Sequence, residues 1–150
     1  MRISTKGDYA TRAMQDLALH YATGPIQIDA IARRQGLPAR YLEQLLLVLK
    51  RAGLLESKRG ARGGYYLAKH PREITLGQVV RAVDGPLSPI FCVTAGKRRI
   101  CPKEAEGCVL RDVWGEVRDA VAKIVDHTTF EDICRRIREK QATHRLTYQI

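Results

Sequence analysis

Cys92, Cys101 and Cys108 stand in one polar, glycine-bearing stretch about two-thirds of the way along a chain of 150 residues. A structural cysteine behaves as a small apolar residue on a periodic helix face. These three instead fall in Phe91-Cys92-Val93-Thr94-Ala95-Gly96-Lys97-Arg98-Arg99-Ile100-Cys101-Pro102 and Glu104-Ala105-Glu106-Gly107-Cys108, both of which read as loop. Clustered loop thiols suit a soft metal or a redox sensor. A structural zinc ion on the three thiolates plus one further ligand is chemically possible as a lesser reading. A thiol enzyme is disfavoured, because there is no Cys-x-x-Cys pair and nothing marks a histidine near the loop as a base. Cys134 lies at i+4 from Phe130 and i−3 from Ile137, a core-face position that reads as packing. Glu104 and Glu106 flank the thiols and could ligate, although charged loop residues are usually just solvated; His127 and His144 read as surface residues, and His20 as partly buried near a helix end.

A second chemistry lies in the cations. The formal charge is +10; residues 1–70 carry 12 Lys/Arg against 5 Asp/Glu, and residues 71–150 carry 14 against 11. The amino-terminal half is therefore the expected polyanion-binding half. Arg40, Glu43 and Gln44 stand at i, i+3 and i+4 on the exposed side of a helix, near its start. In a DNA major groove Arg40 suits guanine and Gln44 adenine; Glu43 suits the cytosine amino group or repels wrong sequences. Tyr41, Lys50 and Arg51 are expected toward solvent on the same helix. Arg59 and Arg62 flank the glycines of Gly60-Ala61-Arg62-Gly63-Gly64, and Gly63 belongs to a tip narrow enough to enter a minor groove.

The elements that must position these groups are mostly helical. Helical spacing runs from Asp8 to about Tyr21 and stops at Thr23-Gly24-Pro25. A second helix fits Ile28 to Gln35, and Gly36-Leu37-Pro38 makes a tight turn, with Gly36 suited to a left-handed stop. The third helix, Ala39 to about Ala52, buries Leu42, Leu45, Leu46 and Leu49. Helix, turn and helix are followed by two β-prone runs, Gly53 to Arg59 and Tyr65 to Ala68, around the glycine tip, which together predict a winged helix-turn-helix. A phosphate-cradling loop would need a helix start and a Lys-Ser/Thr pair where Tyr65-Tyr66-Leu67 follows. Thr75 or Ile74 opens a helix through Val79, Val80 and Val83, closed by Gly85-Pro86. After the cysteine loop, Val109, Val113, Val117, Val121 and Ile124/Val125 form one stripe beside Leu110 and Trp114, which reads as intramolecular core or as a dimer seam. Thr128-Thr129-Phe130-Glu131-Asp132 has capping-box character and starts a last helix toward Lys140, with a loose tail after Gln141.

The fold class expected is mainly α with a small β-hairpin. The organisation expected is a DNA-binding winged helix-turn-helix over 1–85, a cysteine-bearing loop over 86–107, dimerisation helices over 108–141 and a flexible tail over 142–150. Hydrophobic residues at 45% exclude a disordered chain, and no apolar run approaches a membrane span. The amino terminus, Met1-Arg2-Ile3-Ser4-Thr5-Lys6-Gly7-Asp8, has no apolar signal core, so a cytoplasmic protein is expected, where thiols serve as ligands, sensors or core residues more than as disulfides.

Met1-Arg2-Ile3-Ser4-Thr5-Lys6-Gly7, Tyr41-Leu42-Glu43-Gln44-Leu45, Arg59-Gly60 with Gly63-Gly64-Tyr65, and Val79-x-x-Ala82-Val83-Asp84-Gly85 together resemble the Rrf2 family of bacterial winged-helix regulators, from residue 1 to about 140. The resemblance implies a homodimeric transcription regulator, crossed through a long helix and acting on a palindromic operator in double-stranded DNA. It also implies, as in many members, an iron–sulfur cluster ([2Fe-2S] or [4Fe-4S]) on three loop cysteines. Carried over, Cys92, Cys101 and Cys108 take the cluster positions, with eight and then six intervening residues, longer than in well-known cluster-binding members. One branch of the family takes its fourth ligand from a histidine three positions past the third cysteine; Arg111 stands there, and a guanidinium cannot ligate. Another branch uses an aspartate near the amino terminus of the partner subunit, the position of Asp8. Asp8 also suits a helix dipole without any metal. A third branch represses cysteine metabolism, which keeps a cluster-free thiol regulator as the alternative.

Overall fold

The computed structural model describes residues 2–94 and 107–147 of the chain. Its elements are α1 (Thr5–Leu19), α2 (Ile28–Gln35), α3 (Ala39–Arg51), β1 (Leu55–Lys58), β2 (Gly64–Leu67), α4 (Leu76–Asp84), α5 (Val109–His127) and α6 (Phe130–Thr147). Cys101, Glu104, Glu106 and the last residues of the expected tail lie outside the described residues.

α1 begins at Thr5 rather than Asp8 because Ser4 caps it. The Ser4 hydroxyl accepts the Gly7 amide at 3.1 Å, which draws Thr5, Lys6 and Gly7 into the first turn. Ser4 in turn donates its backbone N–H to Asp84 Oδ2 at 3.0 Å and its hydroxyl to Asp84 Oδ1. An added Cβ at position 7 would stand 2.5 Å from Asp84 Oδ2 and 2.9 Å from Ile3 Cγ2, so a larger residue there would displace the Asp84 carboxylate that Ser4 holds. The helix stops at Leu19, and Tyr21–Thr23 forms a separate 3-10 turn instead of a last helical turn.

α2 has the expected bounds and ends at Gly36, left-handed at φ +63°. Asp16 of α1, 1% exposed, accepts Arg34 Nε at 2.9 Å, Arg34 Nη2 at 2.6 Å and Gln35 Nε2 at 3.2 Å. A carboxylate withdrawn from water needs such partners. The fork ties α1 to the end of α2, and the sequence reading has no trace of it.

Leu42, Leu46 and Leu49 of α3 meet Ala10, Met14 and Leu17 of α1, Ile31, Ile74 and Val79 in one core, as their spacing requires. Phe130 and Cys134 belong to the same cluster, both at 3% exposure or less. α6 is thus anchored in the winged-helix body. Its start is fixed by backbone bonds from Phe130 N to Ile74 O and Leu76 N to Thr128 O, both 2.9 Å. The expected capping box forms with aspartate in the acid position: Thr129 N donates to Asp132 Oδ2, and Asp132 N to Thr129 Oγ1, each at 3.1 Å. α6 continues as helix to Thr147, past Gln141 where loosening is expected; its carboxy-terminal turns carry the strong helix formers Glu139, Lys140, Gln141 and Ala142.

α5 is the opposite case. None of its residues is buried, although Arg81 of α4 grips Asp126 with a two-pronged contact at 2.5 and 3.0 Å and holds that carboxyl below its usual range. No helix of the described residues is long and apolar enough to cross a membrane.

Candidate nucleic-acid interface and thiol loop

Hairpin and third helix form one surface. β1 and β2 pair antiparallel with Lys58 opposite Gly64, and residue 26 adds a third edge: Ile26 N donates to Tyr65 O at 2.9 Å and Tyr65 N to Ile26 O at 2.8 Å. Gly64, at φ +146°, faces the Ile26 backbone where a side chain has no room. Gln27 Nε2 donates to Ala61 O at 3.1 Å and holds the tip, while Lys50 Nζ of α3 donates to Ser57 Oγ of β1 at 2.5 Å. Burial first, and the Glu43 carboxylate of α3 second, push the Tyr65 phenol up.

Of the expected contact residues, Arg40, Glu43, Gln44, Lys50, Arg59 and Arg62 are exposed on this surface. Two are not plain surface groups. Tyr41 is half-buried, its ring edge-on to Tyr9 of α1 at 5.7 Å and 85°, because the aromatic fills the seam between the two helices. Gly63 is buried under the tip with its N–H on Gly60 O at 2.9 Å, so it shapes the turn rather than presenting atoms outward. Leu47, 41% exposed between Gln44 and Lys50, is a surface residue the sequence reading passes over.

The thiols hang on α5. Cys92 lies half-buried on a 3-10 turn, Phe91–Val93, docked by Arg118 Nη1, which donates to Val93 O at 2.8 Å. Cys108 is the amino-terminal cap of α5, half-buried, and its side chain makes no capping hydrogen bond. Neither forms a disulfide among the described residues. Two unbonded, accessible soft donors fit iron or zinc. Among the described residues no three His, Cys, Asp or Glu side chains come together as a metal site, and Cys101 lies outside them. Asp8 is half-exposed on the first turn of α1, paired with Arg12 at 3.1 Å. Arg111 sits in the first turn of α5, its amide on Cys108 O at 2.9 Å. Cys134 is 3% exposed within the core, and burial pushes its thiol up, as for a packing residue.

A helix-turn-helix braced against a hairpin, with cations on its outer face, defines a winged-helix regulator. The Rrf2 family model, described as "Iron-dependent Transcriptional regulator", matches residues 3–136, and the chain belongs to that family. It is 41% identical over 133 residues to the transcriptional regulator CymR of Bacillus subtilis, covering 89% of each chain. It is 36% identical to the regulator IscR of Pectobacterium atrosepticum, covering 89% of this chain and 79% of that one. Among solved structures, CymR, titled the global cysteine regulator of B. subtilis, superposes at TM-score 0.78 with 38% identity over 90% of this chain and 97% of that one. T. potens IscR superposes at 0.76 with 39% identity over 94% and 91%. These relatives are transcriptional regulators, not enzymes.

Proposed function

We propose that the protein is a homodimeric repressor that binds a palindromic operator through α3 and the wing, and whose affinity is set by an iron–sulfur cluster on Cys92, Cys101 and Cys108. The observation that carries the second half is the pair of half-buried thiols, neither in a disulfide nor used in capping, held against one helix. The family's iron-dependent description supports it. A bound cluster supplies an iron centre that reacts with oxidants and nitric oxide. Cys92 and Cys108 hold their positions through the Arg118–Val93 bond and the start of α5, and Asp8, half-exposed, would have to leave Arg12 to serve as the ligand from a second copy.

Protein purified without oxygen is expected to be coloured and to contain iron and acid-labile sulfide. Asp8→Ala should then change the visible spectrum or hasten its decay; an identical spectrum and lifetime would remove Asp8 from the ligand set. A colourless protein that takes up neither iron nor sulfide on anaerobic reconstitution would leave the second reading, a cluster-free thiol regulator, which the likeness to CymR favours. Zinc in that colourless protein would make the same cysteines a structural site.

The wing has its own test. Arg62→Ala should weaken binding across many duplexes and lower the slope of log affinity against log salt by about one. An unchanged slope would take the tip off the phosphates.

A further inference from the structure

The outer face of α3 is not uniformly polar. Lys50 is drawn to Ser57 of β1, and Glu43, two helical turns before it, shares that side, so both belong to the wing side of the helix. At about 3.6 residues per turn the row left outermost is Arg40, Gln44, Leu47 and Arg51. All four are exposed, Leu47 by 41%, whereas Leu42, Leu45, Leu46 and Leu49 are exposed by 4% or less.

A single exposed leucine usually needs no explanation. This one stands mid-row, with an arginine at each end and the adenine-type reader Gln44 one turn before it. In the major groove the apolar group that distinguishes one base from the others is the thymine 5-methyl. Leu47 lies three residues beyond Gln44, about 4.5 Å along the helix axis. One base pair rises about 3.4 Å, so the two side chains face neighbouring pairs. We propose that Leu47 is a specificity-determining residue that packs on a thymine methyl, next to the base pair read by Gln44. This rests on α3 being the helix that enters the groove.

The full-length protein is used to enrich duplexes from a randomised library. Each thymine of the enriched half-site is then replaced by deoxyuridine, which deletes one methyl group and no hydrogen-bonding atom. Binding is read by fluorescence anisotropy at fixed salt. One thymine per half-site, beside the pair whose change is felt through Gln44, should show about a three- to fivefold loss on removal of its methyl. Leu47→Ala, and Leu47→Gln as a second surface variant, should bind the thymine and uracil duplexes equally well, with wild-type circular dichroism. Retention of the full uracil penalty in both variants overturns the assignment, as does a wild-type protein indifferent to every uracil. If no sequence is enriched, the DNA-reading role of α3 falls, and the role of Leu47 with it.

Discussion

Phe130→Ala should lower the stability of the chain by about 3–5 kcal/mol, although residue 130 stands far in sequence from the helix-turn-helix. The ring is fully buried in the core built by α1 to α4. Its backbone is fixed as well, through its amide on Ile74 O and the Thr128–Leu76 bond beside it. The site therefore cannot collapse around an alanine, and the loss combines the transfer of the ring with the cavity it leaves. Urea unfolding followed by circular dichroism is the measurement. A change under about 1 kcal/mol would mean that α6 is a passive appendage. In a dimer stability depends on protein concentration, so the comparison is cleanest in a monomeric background.

Val117→Glu should provide that background. Val109, Leu110, Val113, Trp114, Val117 and Ile124 of α5 are all exposed, from 37% at Val117 to 72% at Val109, and they recur at helical spacing along one stripe. A carboxylate in the middle of such a seam would have to be buried without a partner, which opposes association. The expected product is a folded monomer of 16.9 kDa by light scattering. Its affinity for a two-half-site duplex should fall by roughly 10²–10⁴, because binding of the second head is no longer intramolecular. Binding to a single half-site should stay within a few-fold of the wild-type protein. A variant that still scatters as a dimer would place the interface elsewhere.

What could be read from the chain was local. The bounds of α2, the left-handed Gly36, the hairpin with its glycine tip and the Thr75 cap each depend on residues within a few positions of one another. The cap forms as a box with Gln78, at 2.9 and 3.3 Å. The readings that missed depend on tertiary partners. Asp16 with Arg34, and Ser4 with Asp84, join residues whose separation follows no period. Tyr41 has the spacing of an outward residue, and it turns in because Tyr9 is there to receive it. Leu47 is the converse, a leucine in a leucine-rich helix that periodicity leaves on the surface. For the loop thiols, sequence gives the loop and the donor type, and the structure adds that Cys108 caps α5 while Arg118 of α5 docks the turn that carries Cys92.

The bracing of the wing has a mechanical consequence. Ile26, Gln27 and Lys50 pin the hairpin at three points, so wing and third helix form one braced unit. Such a unit would not adapt to a stretched or compressed half-site; in the proposed dimer that strain falls on the DNA or on the linkage between the two heads. Operators altered by one base pair between half-sites, which rotates one head about 34° around the duplex, should then be tolerated far less well than sequence changes at the outer edges of each half-site.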